Sequence, residues 1–269
     1  MSRIITAIIV LPVLIASIWF EPLKPLFIAL ALAAMALGLF EFWALARRPE
    51  VKPDVALGAI FAAAVLTALY FNDFELLSGV VGTFVIALLA AAMLRGAPFD
   101  RMILSVGATV LGVLYVVFLG GHLVALATHQ QLKPLAAKLL SFFLLVLMGS
   151  DTAAYYTGRA IGRRKLAPGI SPGKTWEGAA GGMAASLGAA CLAHYWFFPE
   201  LRLTAALPLA VVMNVLGVVG DLTESALKRA AGAKDAAHIL PGHGGLLDRL
   251  DSLLFNAPLI YYFGRIYFR

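Results

Sequence analysis

The sequence predicts an all-α, polytopic integral membrane protein of about nine transmembrane helices, with its N-terminus in the cytoplasm. Three observations lead there. Of 269 residues, 61% are hydrophobic and only 13% charged. The mean hydropathy is +0.90. The apolar residues fall into runs of membrane-spanning length, separated by short polar connectors. A soluble domain carries roughly a quarter charged residues, so the surplus apolar surface calls for a solvent other than water.

A spanning helix needs about 20 mostly apolar residues, with a range of roughly 17–25. Runs that qualify lie at approximately 4–20, 26–46, 55–71, 75–94, 102–127, 135–157, 178–198, 203–220 and 252–267. The first lacks a convincing small-residue cleavage site and is followed at once by another span, so it reads as a retained helix. No low-complexity tract or clear repeat divides the chain. It reads as one membrane domain, 1–269, in which helices of about 1–130 frame a C-terminal half, about 135–269, that carries the polar chemistry.

Positive charge sets the orientation. With nine spans and a cytoplasmic N-terminus, fifteen of the 21 Lys and Arg fall on the cytoplasmic side. The rest are Lys24, Lys133, Lys138, Arg202, Arg265 and Arg269. The net charge of +6 would suit nucleic acid, anionic lipid or a phosphorylated substrate. In a membrane protein the last two are favoured, and no nucleic acid is expected. Cys191, the single cysteine, lies in an apolar run, which excludes a disulfide framework or a cysteine metal site.

Two cytoplasmic stretches are more than connectors. One runs from about Arg159 to Glu177, the other from Asp221 to Asp251. Both are rich in Gly, Pro and paired charges rather than Ser or Gln, which argues for function over disorder. In the second, Asp221, Glu224, Ser225 and Lys228 share a face at helical spacing. Pro241, Gly242, His243, Gly244 and Gly245 follow, and such glycines let backbone amides approach a phosphate. Asp248 and Asp251 open the ninth helix three residues apart. Asp251 there could equally be a helix-capping carboxylate.

The oxygens of Asp, Glu and Ser are hard ligands. They favour Mg²⁺, held by one or two carboxylates and completed by substrate phosphates. Lys and Arg around such a site suit phosphoryl or nucleotidyl transfer. No GxxxxGKS/T loop is present, which excludes a P-loop enzyme. In the first stretch, Ser171, Lys174 and Thr175 precede a helix whose amides could face an anion. The alternative is a plain polar cap. Gly178 and Gly182 have the spacing of close helix packing. Glu41 and Asp151 lie inside apolar runs, where an ionisable group costs about 2.5–3.5 kcal/mol at the helix centre. Their roles stay open between structural pairing and function.

The run Ser225-Ala226-Leu227-Lys228-Arg229, then Lys234-Asp235, then Leu240 to Gly245, then Asp248-Arg249-Leu250-Asp251 resembles the signature of the bacterial phosphatidate cytidylyltransferases, or CDP-diacylglycerol synthases. It shows no departure from that pattern. Ser171-Pro172-x-Lys174-Thr175-x-Glu177 and Asp151-Thr152-x-Ala154-Tyr155 are also similar to that family. The likeness covers the C-terminal half; the N-terminal half matches only in having several apolar helices.

The resemblance implies an enzyme that condenses CTP with phosphatidic acid to give CDP-diacylglycerol and pyrophosphate. It implies Mg²⁺ on Asp221 and Asp248, with room for a second metal such as K⁺. Asp221, Asp248, Lys228 and Arg249 are then the expected catalytic residues. Ser171, Lys174, Thr175, Ser225, Arg229, Lys234, Asp235, His243, Gly244, Gly245 and Asp251 are the expected substrate contacts. A homodimer in the bacterial cytoplasmic (inner) membrane, with its site facing the cytoplasm, completes the expectation. Among rivals, a CTP-dependent lipid kinase would release CDP rather than pyrophosphate. A CDP-alcohol phosphotransferase would need a DGxxAR run that is absent. A transporter would carry its polar residues near the midplane in broken helices, whereas here they gather at one interface.

Overall fold

The computed structural model describes residues 2–96, 99–232 and 245–269. Helix occupies each predicted apolar run: α1 (Ser2–Trp19), α2 (Lys24–Ala46), α3 (Val55–Phe71), α4 (Phe74–Leu94), α5 (Met102–Gly112) continuing through a π-helical turn (Val113–Phe118) into α6 (Leu119–Thr128), α7 (Ala136–Ile161), α8 (Trp176–Trp196), α9 (Leu203–Ala230) and α10 (Leu247–Tyr267).

Among the described residues, five helical segments are long and apolar enough to cross a membrane: Glu21–Ala46, Phe74–Leu94, Phe99–Thr128, Ala136–Ile161 and Leu203–Ala230. Helix α3 is apolar but shorter. Helix α8 carries Glu177, His194 and several glycines, and α10 carries Asp248, Arg249 and Asp251, and neither is among the five. The all-α, membrane-type character therefore holds. It carries one small exception, a two-stranded antiparallel hairpin of β1 (Lys165–Ala167) and β2 (Ser171–Thr175). Pro168 and Gly169 supply its turn, closed by Ile170 N–H on the Ala167 carbonyl at 3.1 Å.

The chain divides into two compact units: Met1–Lys133 with Asp235–Leu250, and Pro134–Lys234 with Asp251–Arg269. Helix α10 starts in the first and continues in the second.

In the first unit, polar caps end the helices sharply. Asp54 and Asp73 accept from Leu57 N–H (3.1 Å) and Leu76 N–H (2.8 Å) at the starts of α3 and α4. Asn72 closes α3 in the left-handed conformation at φ 55°, and its Nδ2 donates to Thr128 Oγ1 at 3.1 Å. The core is Phe42, Trp43, Val65, Ala68, Leu69, Phe84 and Val116, all buried. Trp43 lies so close to α3 and α5 that a Cβ at Gly58 or Gly112 would meet its ring at 2.4 or 2.5 Å. Meanwhile Phe71, Ile86 and Ile103 stand fully outward, with Ile103 84% exposed. Apolar surface on that scale is suited to lipid rather than water.

In the second unit, α7 and α8 pack with small residues at the contact. A Cβ at Gly178 would lie 2.9 Å from the Ala154 carbonyl oxygen, and one at Gly182 2.9 Å from Ser150 Oγ. That is the close packing expected of the Gly178–Gly182 spacing. Phe142, Phe143, Val146, Met213 and Tyr261 fill the interior, while Tyr195, Trp196 and Ile266 face outward.

Candidate active site

The carboxylates of the second unit converge because two helices cross at a glycine. A Cβ on Gly220 would sit 2.6 Å from the Asp251 backbone oxygen and 3.2 Å from Phe255 Cδ2. Only a residue without a side chain lets α10 come this near to α9, and Asp221 is the next residue along. Asp151 joins from α7, its Oδ2 accepting from Ser252 Oγ at 3.4 Å. The Asp221 charge acts on both Asp151 and Asp251, and the Lys174 ammonium offsets it. Lys174 reaches in from β2, its Nζ 2.5 Å from Asp221 Oδ2. Carboxylates from three helices and an ammonium from the hairpin thus form one electrostatic cluster.

Behind the cluster the helices are held by buried amides and hydroxyls. Asn214 Nδ2 donates to Ser150 Oγ at 2.6 Å, and Asn256 Nδ2 to the Ser252 carbonyl at 2.9 Å. Along α9 the predicted shared face is divided. Glu224 is buried and pairs with Lys228 at 2.6 Å, while Asp221 and Ser225 are half-buried. The charge of Lys228, expected to meet phosphate, is matched here by Glu224. Gly232, at φ 68°, ends α9 with its N–H on the Arg229 carbonyl at 3.0 Å.

The hairpin is tied to both neighbouring helices. Arg229 Nε donates to the Ile170 carbonyl at 3.4 Å. Glu177, in the first turn of α8, accepts from Arg163 N–H (3.0 Å) and Arg164 N–H (3.2 Å). Its own amide, those two amides and the Arg164 guanidinium hold this carboxyl below the ordinary range. Ser171 begins β2 opposite Ala167 and is half-buried. Thr175, expected among the phosphate contacts, is buried, and its Oγ1 caps α8 by accepting from Gly178 N–H at 3.1 Å. The polar-cap alternative describes it better.

The first unit holds the other acidic pair. Glu41, fully buried on α2, accepts from Leu246 N–H (2.9 Å) and Leu247 N–H (2.7 Å). It thereby satisfies amides that a helix start leaves without intrahelical partners. Hydrogen bonds to a charged group contribute about 1.5–3 kcal/mol each, enough to offset the cost of an intramembrane carboxylate. Asp248, in the first turn of α10, accepts from Gly245 N–H at 3.0 Å. Arg249 is exposed beside it. Lys234, Asp235, His243 and Gly244 lie outside the described residues.

Sequence reasoning marked Glu41 and Asp151 as acids in apolar runs, but their partners are distant along the chain and left no trace in it. Gly220 did carry a signal, a glycine directly before an aspartate at the end of an apolar helix.

Among the described residues, no group of three or more His, Cys, Asp or Glu side chains is gathered to hold a metal unaided. Asp151, Asp221 and Asp251 offer carboxylate oxygens, the hard donor type that Mg²⁺ prefers. That ion takes one or two protein carboxylates and completes its octahedron with substrate phosphates and water.

The fold and this cluster define a class: an all-α protein with membrane-type helices and a site of carboxylates interleaved with Lys and Arg. A sequence model of the cytidylyltransferase family matches residues 1–267. The chain belongs to the cytidylyltransferase family. It is 38% identical over 276 residues to a phosphatidate cytidylyltransferase of Pseudomonas aeruginosa, covering 96% of this chain and 94% of that one. With the phosphatidate cytidylyltransferase of Haemophilus influenzae it shares 39% identity over 151 residues, 54% of this chain and 52% of the relative. With that of Bacillus subtilis it shares 44% over 126 residues, 44% of each. In these last two the match spans about half the relative's length.

Proposed function

We propose that this chain transfers CMP from CTP to phosphatidic acid, forming CDP-diacylglycerol and pyrophosphate for phospholipid synthesis. The observation that carries this reading is the similarity to the Pseudomonas aeruginosa phosphatidate cytidylyltransferase along nearly the whole of both chains. The proposal includes nine spans, a cytoplasmic N-terminus, and a site facing the cytoplasm from the bacterial inner membrane. There a lipid-anchored anion and a soluble nucleotide can meet. It includes a homodimer as well.

The reaction is a direct displacement. A phosphatidate phosphate oxygen forms a bond to the α-phosphorus of CTP while the bond to the bridging oxygen breaks, and pyrophosphate leaves with that electron pair. The attacking phosphate is already largely ionised at neutral pH, its second pKa being about 6, so no strong general base is required. In this reading Asp221 and Asp248 each supply oxygen to Mg²⁺, with K⁺ a candidate second ion. The part of Asp248 rests on the family resemblance. Bound there, Mg²⁺ would supply charge neutralisation to the transferring phosphoryl group. Lys174 binds a phosphate, and it does so in competition with Asp221 for the same ammonium. Lys228, Arg229 and Arg249 serve the remaining phosphate oxygens. Ser171, Ser225, Lys234, Asp235, His243, Gly244, Gly245 and Asp251 border the substrates.

The test is a detergent-solubilised assay with labelled CTP, with and without phosphatidate and Mg²⁺, in which both products are identified. The reading expects CDP-diacylglycerol and pyrophosphate, both dependent on phosphatidate and Mg²⁺. Release of CDP with a phosphorylated lipid would replace it with a kinase. CTP left intact in the presence of lipid and metal would overturn it.

A further inference from the structure

We infer that Glu41 is a positioning residue for Asp248: from within α2 it holds the first turn of α10 and so sets where the Asp248 carboxylate stands. The inference rests on the cytidylyltransferase reading of Asp248 but adds a residue outside every motif that supports that reading.

The geometry begins with the unpaired amides of a helix start. Helix α10 opens at Leu247, and its initial N–H groups lack carbonyls one turn earlier. In most helices a Ser, Thr, Asp or Asn just before the helix takes this place. Here Gly245 and Leu246 stand there, and neither has a side-chain acceptor. Glu41 substitutes for the missing cap from about two hundred residues away in the chain. Its Oε1 accepts from Leu246 N–H and its Oε2 from Leu247 N–H, at 2.9 and 2.7 Å. The residue has no solvent exposure, so both oxygens are committed to this task and water cannot replace them.

Asp248 sits one residue after these amides and already accepts from Gly245 N–H at 3.0 Å. It is the nearest carboxylate in sequence to the Leu246 and Leu247 donors. Were Glu41 neutral or short, those donors would compete for Asp248, since capping by a carboxylate in the first turn is the common local solution. With Glu41 in place, both donors are bound to it. Gly38, one turn before Glu41, faces the same region: a Cβ there would lie 3.4 Å from Leu250 Cδ1 and from Val116 Cγ1. Leu247 is itself buried. Glu41 therefore fixes the position of the α10 start and of the aspartate in its first turn.

The experiment compares the full chain with Glu41→Gln, Glu41→Asp and Leu246→Pro. Proline removes the Leu246 donor just ahead of the helix, where no intrahelical bond uses that N–H. Glu41→Gln is expected to lower kcat roughly tenfold, the scale of one lost charged hydrogen bond. The Mg²⁺ concentration for half-maximal rate should rise several-fold, while KM for CTP stays within about twofold. Without metal or substrate, hydrogen exchange at residues 245–250 should quicken in that variant and remain unchanged in α3 and α4. Glu41→Asp, too short to reach, should behave as Glu41→Gln does. Combining Glu41→Gln with Leu246→Pro should cost less than the two effects summed, because both break the same bond.

A folded Glu41→Gln enzyme whose kcat and Mg²⁺ dependence match the parent overturns the inference. So does strict additivity in the double variant. Should Glu41→Gln fail to fold, Leu246→Pro decides alone, and an unchanged Mg²⁺ dependence there overturns the inference. A parent protein that makes no CDP-diacylglycerol would instead overturn the functional reading, while the exchange measurement would still report on the cap.

Discussion

The site's chemistry is concentrated in a few side chains whose surroundings differ more than their types. Asp221 is held by Lys174 at 2.5 Å and acts electrostatically on Asp151 and Asp251. Removing its charge takes this carboxylate from Lys174 and, in the proposed reading, removes a hard ligand. Asp221→Asn should therefore reduce CDP-diacylglycerol formation at least a hundredfold, the scale of losing one group that stabilises a transition state. The purified variant should keep its helical circular dichroism and melting temperature. Thr175 is a contrasting residue. It caps α8 through Gly178 N–H, and cap removal costs about 1 kcal/mol. Thr175→Ala should lower Tm by roughly 2–4 °C and Thr175→Ser should restore it, with activity following stability in both. A large loss of kcat in a Thr175→Ala protein of unchanged Tm would return Thr175 to the substrate contacts.

At the scale of elements, one crossing and one hairpin carry the arrangement. The α9–α10 crossing depends on Gly220, where a methyl group would press on the Asp251 backbone at 2.6 Å. Backbone cannot yield as a side-chain end can, so Gly220→Ala should destabilise by about 1–3 kcal/mol. It should lower activity by more than that loss explains, because Asp221 and Asp251 are displaced together. A thermal melt paired with initial rates on the same preparation makes the comparison. The hairpin depends on Glu177 through the Arg163 and Arg164 amides. Its carboxyl is held below the ordinary Glu value, foremost by its own backbone amide and then by these two. A depressed folded-state pKa contributes stability above the unfolded value of about 4.3, and that contribution fades as pH falls through the folded value. Protease cleavage between residues 162 and 175 should thus stay slow down to about pH 4.3 and accelerate only below it. Glu177→Gln should be cleaved faster at neutral pH and lose the dependence.

The whole molecule is organised by its solvent. Outward-facing side chains such as Phe71, Ile103 and Ile266 are large and apolar. The proposed topology, argued from the positive-inside asymmetry, puts the hairpin in the cytoplasm and the connector between α8 and α9 outside. In a Cys191→Ser background, Gly173→Cys should react with a membrane-impermeant thiol reagent only in inverted vesicles. Pro199→Cys should react only in right-side-out ones. Labelling of both from one side would remove the proposed topology.

Much of this was legible in the sequence, because the bilayer imposes a length and a polarity on each helix. Nine apolar runs sufficed to place the helices, and hard-oxygen ligands beside Lys, Arg and Gly singled out Asp221 to Asp251 as the candidate chemical segment. The family resemblance in that segment agreed with a match along residues 1–267. The sequence left undecided what each polar group is bound to, since those partners lie tens to hundreds of residues apart. Thr175 was open between phosphate contact and cap until α8 was seen to use it. Lys228 was expected on phosphate, and the buried Glu224 one turn away holds it. Glu41 was an expensive acid with no evident purpose, and the α10 amides account for it. Hydropathy and local spacing determine where helices form, because those are properties of neighbouring residues. The pairing of buried charges is decided by the tertiary structure alone, because desolvation forces each to find whichever partner the packing brings within reach.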